Sequence, residues 1–238
     1  MCDTSSGTTF GPAQKNEISK NMSWFSTTIA RKFAMALSAL FLIFFLLQHL
    51  TINMLSVFSE EAFNEASHFM GTNPIVQFLL QPVLIFAVVF HFVMGFVLEA
   101  KNRAARPIKY AKKDGSNASW MSQNMLISGL VILAFLALHF IDFWIPEMSY
   151  KYVQFLPEDA DRYYGELVHK FENPLRVGAY VIAFVLLALH LLHGFQSAFQ
   201  SVGFNNKFTP AIKKFCTAYA VIVPAGFILI AIYHFINH

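Results

Sequence analysis

Four histidines lie deep inside four separate apolar stretches: His49 in LIFFLLQHL, His91 in IFAVVFHFVMGF, His139 in LVILAFLALHF and His190 in IAFVLLALHLLHGF. An imidazole in hydrocarbon is costly unless a polar group or a metal takes its nitrogens. Two pairs of imidazoles, one towards each side of a membrane bundle, are what two bis-histidine b haems require, and that chemistry is electron transfer. No C-x-x-C-H occurs, so covalent haem attachment is excluded, and Cys2 and Cys216 are too few for a disulfide framework or an iron–sulfur cluster. Any haem must be held by ligation and packing alone.

Such residues need membrane helices to carry them, and the composition provides these. The chain is 56% hydrophobic and 13% charged, far from a soluble domain. Five stretches, about 31–54, 74–99, 123–145, 174–200 and 211–236, are each long enough to cross hydrocarbon roughly 30 Å thick. The expected fold is all-α, a bundle of five transmembrane helices over residues 23–238, preceded by a polar arm over 1–22. Lys15, Lys20, Arg31 and Lys32 precede the first helix; Lys101, Arg103, Arg106, Lys109, Lys112 and Lys113 follow the second; Lys207, Lys213 and Lys214 follow the fourth. The first loop holds Glu60, Glu61 and Glu65 without Lys or Arg, and acidic residues dominate the third connection. The positive-inside rule then predicts a cytoplasmic N-terminus and an external C-terminus. The net charge of +3 hides this separation, and the basic loops suit orientation and a cytoplasmic partner rather than nucleic acid. Pro107 is expected to stop the second helix.

A repeat runs through the helices. Ser38 precedes His49 by 11 residues and Ser128 precedes His139 by 11, a step that returns to nearly the same helix face. His91 and Gly95, and His190 and Gly194, share a four-residue step that sets a glycine beside each histidine, where a flat porphyrin can approach the backbone. Depth then predicts the pairing. His49 lies 18 residues after Arg31, roughly 27 Å along an outward-running helix, and His139 sits likewise near the outer end of the third. His91 is 10 residues short of Lys101, and His190 10 short of Gln200. An outer haem on His49 and His139 and an inner haem on His91 and His190 follow, each pair from alternate helices of a bundle. His193, one turn beyond His190, is the alternative inner ligand, or else a hydrogen-bond donor to a propionate or a quinone.

Arg31 and Arg176, each at the start of a haem-bearing helix, are candidates to pair with propionates, against the plainer reading of topology and headgroup contact. Glu61, Glu65, His193, Ser38 and Trp24 are candidates for protons that accompany quinone chemistry. His68 and His169 are expected in solvated external loops, and His234 at the membrane interface.

Taken in order, SWFSTTIARKFAMALSALFLIFFLLQHL, NRAARPIKY, SGLVILAFLALHF and LHLLHGFQSAFQSVGFN resemble the single-chain, five-helix, dihaem b558 type of cytochrome b subunit from succinate dehydrogenase and fumarate reductase, over about residues 23–236. The resemblance implies haem ligation by one histidine on each of the first four helices, first with third and second with fourth. These are His49 with His139 and His91 with His190. It also implies a flavoprotein subunit with FAD, an iron–sulfur subunit on the cytoplasmic face, a quinone substrate (menaquinone for this type) and a bacterial cytoplasmic membrane. The dicarboxylate chemistry belongs to those partners, since the chain has neither a dinucleotide fingerprint nor cysteine clusters. The competing readings are a dihaem subunit of a nitrate reductase or hydrogenase and, from a different class, a proton-coupled transporter with a histidine relay. The missing broken helices and midplane carboxylates speak against the transporter.

Overall fold

The computed structural model describes residues 27–104, 125–204 and 206–237. The polar arm, Trp24, Arg106 to Lys113 with Pro107, and His238 lie outside the described residues. Every regular element among the described residues is helical. Helix α1, Thr28–Phe58, starts where the Thr27 hydroxyl accepts the Ala30 N–H at 3.2 Å. It ends at Ser59, whose hydroxyl in turn caps α2, Glu60–Thr72. Asn73 then caps a π-helical turn, Val76–Leu80, that continues into the α-helix Gln81–Ala104, together α3. Helix α4 comprises Met125–His139, a second π turn at Phe140–Trp144, and Ile145–Tyr152. Helix α5 is Arg162–Phe171, α6 is Pro174–Ser201 and α7 is Thr209–Asn237. Five spans, Ile29–Phe58, Val76–Asn102, Met125–Tyr152, Pro174–Ser201 and Thr209–Asn237, are long and apolar enough to cross a membrane. They match the five expected stretches, the second and third starting two residues later and the third running on to Tyr152.

The π turn in α3 has a sequence cause. Asn73-Pro74 opens α3 and Asn173-Pro174 opens α6, yet Asn73 stands 18 residues before His91 and Asn173 stands 17 before His190. A π turn takes up one extra residue without breaking the helix, so both caps form while both histidines keep the same depth.

Helices α6 and α7 pack most extensively on each other, and α1 meets α3, α6 and α7; α4 leans on α6, while α3 and α4 barely touch. Ala220 and Ala231 of α7, fully excluded from the surface, allow close helix approach. Tyr180, Phe184, Leu191 and Phe195 of α6 fill the core with Val223, Phe227 and Ile230 of α7. The Tyr219 hydroxyl donates to the Ile43 carbonyl at 2.5 Å, tying α7 to α1. Phe44, Phe78, Phe86 and Ile182 point outwards, as lipid contact requires.

Helices α2 and α5, where loops were expected, cover the end of the bundle at which α1, α4 and α7 finish. His68 therefore sits on a helix, half-buried and edge-on to Tyr163 at 6.3 Å, and not in a solvated loop. His169 is helical as well, but exposed and paired with Glu172. Buried Asn64 of α2 donates to the Asp161 carbonyl at 3.1 Å and accepts the Tyr164 N–H at 2.8 Å, which joins the two cap helices. Glu147 at the end of α4 pairs with Lys151 and Arg162, and Arg162 also binds Glu166 at 2.7 Å while lying over the rings of Tyr150 and Tyr163. Burial, then the charge of Glu147, pushes the Tyr163 hydroxyl up to about 12. A cleft of about 320 Å³ opens beside this cluster, lined in part by His68, Gln77, Tyr152 and Arg162.

Two outcomes are expected here. A Cβ at Gly71 would stand 2.9 Å from the Tyr163 hydroxyl and 3.1 Å from Lys151 Nζ; because only side-chain ends have to move, Gly71→Ala should lower the melting temperature in detergent slightly, at a cost of about 1 kcal/mol or less. Tyr163 keeps its proton in the folded state while the unfolded residue ionises near 10, so its contribution is complete below that pH and fades as pH rises towards 12. Tyr163→Phe should flatten the alkaline fall of stability between those values; an unchanged profile would contradict the assignment.

Candidate functional site

The expected histidines meet in the expected pairs. Ring centres of His49 on α1 and His139 on α4 are 5.8 Å apart with planes at 85°, and those of His91 on α3 and His190 on α6 are 6.5 Å apart with planes at 70°. Both pairs run across diagonals of the four-helix arrangement. Two imidazoles that share one metal at bonds of roughly 2 Å have ring centres roughly 6 Å apart, so the spacing of both pairs would suit a haem iron. Among the described residues no three His, Cys, Asp or Glu side chains converge on a metal; the histidines come in twos.

Second contacts orient them. The Ser38 hydroxyl donates to the Met35 carbonyl at 2.8 Å and lies 3.2 Å from His91 Nδ1; Ser128 repeats this with the Met125 carbonyl at 2.9 Å and His190 Nδ1 at 3.2 Å. A hydroxyl has one proton to give, so each serine accepts from the imidazole N–H. That fixes the tautomer with Nε2 unprotonated, the form a metal takes. The 11-residue step thus has a different meaning from the expected one: each serine serves the histidine of the next helix, not the one on its own. Gly95 and Gly194 face the ends of Met35 and Met125, whose Cε atoms would lie 3.7 and 3.0 Å from an added Cβ. One unit, methionine, serine, histidine and glycine, is therefore built twice. The ring partner of His91 is His190; His193 lies one turn on, half-buried.

The other pair is held differently. Phe45 stacks on His49 and Phe135 on His139, each four residues before its histidine. Asn53 Nδ2 donates to the His49 carbonyl at 2.8 Å and lies 3.4 Å from His49 Nδ1, whereas His139 Nδ1 has no hydrogen-bond partner among the described residues. His234 is not interfacial: it is fully buried, with Nε2 2.9 Å from the Ser56 hydroxyl and its ring against Tyr164, because α5 folds over that end of α7.

Arg31 stands half-buried in the first turn of α1. Arg176 ion-pairs with Asp142 at 3.1 Å, and the Tyr180 hydroxyl donates to the same carboxylate at 2.9 Å. Sequence reasoning passed over Asp142, although it is the sole acidic residue in its apolar stretch; buried within the span Met125–Tyr152, it removes the lack of an intramembrane carboxylate as an argument against a transporter. It also missed Phe45 and Phe135, and Met35 and Met125, each pair at a constant distance from the histidines. Glu61 and Glu65 are exposed on α2.

The chain is 24% identical, over 182 residues covering 75% of it and 81% of the relative, to the succinate dehydrogenase cytochrome b558 subunit of Bacillus subtilis. The expected resemblance holds. No family model matches the chain, and no solved structure matches it significantly. With five spans and this relative, the chain is a multi-pass protein of the bacterial cytoplasmic membrane.

Ser38→Ala and Ser128→Ala should each leave an imidazole N–H buried without its acceptor and lower thermal stability by about 1–3 kcal/mol. Thr51→Ala, at an exposed hydroxyl bound to its own helix, is the control; an equal loss there would remove the significance of the serine contacts.

Proposed function

We propose that this chain is the membrane-anchor cytochrome b subunit of a succinate:quinone oxidoreductase, with two bis-histidine haems b. The observation that carries the reading is the pair of diagonal imidazole contacts, at 5.8 and 6.5 Å, on helices of a chain similar to a cytochrome b558 subunit. His49 and His139 hold one haem near the capped end, and His91 and His190 hold the other. When bound, the haems supply one-electron carriage between an iron–sulfur subunit and a quinone, menaquinone in the type the chain resembles.

The remaining work falls to the protein. Ser38 and Ser128 hold His91 and His190 in the ligating tautomer. Phe45, Phe135 and Phe227 surround the other pair with apolar rings, which excludes water and raises the influence of nearby charges on potential. Arg31 is placed to meet a propionate at the basic end. Arg31, Lys32, Lys101, Lys207, Lys213 and Lys214 gather at the ends opposite the cap, which supports a cytoplasmic N-terminus and docking there of the flavoprotein with its FAD and of the iron–sulfur subunit. The domain runs from residue 23 to 238, after a polar arm.

Purification through this chain should bring down a flavoprotein and an iron–sulfur protein with succinate–quinone reductase activity. A pyridine haemochrome assay should give two haems b per chain. A colourless preparation would overturn the reading, and a nitrate reductase or hydrogenase partner would replace its soluble half. His190→Ala should lose one haem where His193→Ala keeps both. Loss of the serine acceptor in Ser128→Ala should make His190 a poorer donor to iron and raise that haem's midpoint, by roughly 40 mV for about 1 kcal/mol.

A further inference from the structure

Asp142 is a carboxylate buried to 2% exposure inside a membrane span, and the ligation described above gives it no task. It follows His139 by three residues, within the π turn Phe140–Trp144 that starts immediately after that histidine. Its Oδ2 accepts the Tyr180 hydroxyl at 2.9 Å; its Oδ1 faces Arg176 Nη2 at 3.1 Å, an ion pair without hydrogen-bond geometry. Tyr180 in turn stands edge-on to the His139 ring at 6.3 Å and to Phe135 at 4.9 Å.

A buried ion pair adds little stability over apolar packing of the same volume, and the internal repeat bears on this. Counted from His49, the residue matching Asp142 is Ile52; counted back from His91, the residue matching Tyr180 is Gln81. The first hairpin holds its helices together without the carboxylate or the tyrosine. The second departs from it at both positions, beside one member of one histidine pair.

We propose that Asp142, Tyr180 and Arg176 form a charge-compensated clamp that orients His139 and sets the potential of the capped-end haem separately from that of the other haem. The proposal rests on the two-haem reading above. Asp142 is a positioning residue: it reaches His139 through Tyr180, and it cancels the field of Arg176. An unopposed guanidinium on this side of His139 would favour the reduced state of a haem held there; the carboxylate holds that pull in check. Arg176 is engaged by Asp142 through Nη2.

The test is an optical redox titration of the purified complex, with the capped-end haem identified as the one missing in His139→Ala. Asp142→Asn should raise the midpoint of that haem and leave the other where it was, because Arg176 is then unopposed. Asp142→Glu should keep the native value. The double variant Asp142→Asn, Arg176→Gln should return the midpoint close to wild type by removing both charges. The clamp is refuted if Asp142→Asn lowers the melting temperature with both midpoints unchanged, which would make it a helix staple only. It is equally refuted if both haems shift together or if the double variant fails to restore the midpoint. Wild-type complex without haem would refute the two-haem reading itself, an outcome distinct from any of these.

Discussion

A neutral imidazole has one nitrogen that must give a proton and one that must receive a bond, and hydrocarbon offers neither. That constraint organises the molecule. On His91 and His190 one nitrogen is answered by a serine from the preceding helix, whose own proton is already committed to a backbone carbonyl. The two rings stand across the diagonal from each other, with centres 6.5 Å apart. The hairpins α1–α3 and α4–α6 are each closed by this serine–histidine contact, and the diagonals set the two hairpins against each other. Helix α7 stands outside the arrangement and packs on α1 and α6, where its buried alanines let it come close.

Much of this was legible in the sequence because the membrane imposes long apolar runs and makes every polar residue within them conspicuous. The five spans and the histidine pairing both follow from counting residues along helices of constant rise. What counting does not yield is which neighbour a side chain serves. Ser38 shares a face with His49 in a helical projection, yet it bonds His91, since the contact depends on how α1 crosses α3. The two π turns, at Val76–Leu80 and Phe140–Trp144, shift the helical phase at the places where face assignments matter. The cap helices α2 and α5 are hard to see in the sequence because their polar composition lacks the apolar run that marks a span. Their stability comes from contacts between distant segments, Asn64 with Tyr164 and Glu147 with Arg162. Burial of His234 has the same origin.

The two histidine pairs are alike in geometry and unlike in surroundings. One has a hydroxyl on each Nδ1; the other has stacked phenylalanines, an amide on one side only, and an ion pair one turn away. Duplicated hairpins would give two equivalent sites. The departures from symmetry, Asp142 for Ile52 and Tyr180 for Gln81, fall on the pair nearest the cap. On the proposed two-haem reading, distinct environments are the means by which the protein adjusts each potential separately.

The central claim is the diagonal pairing of four histidines into two iron sites. Low-spin EPR of the oxidised complex, recorded for His49→Ala, His91→Ala, His139→Ala and His190→Ala in turn, tests it most directly. The account predicts two low-spin signals in the native complex, one abolished by the first and third substitutions and the other by the second and fourth. Loss of the same signal on substitution of histidines from sequential helices, such as His49 and His91, would contradict it.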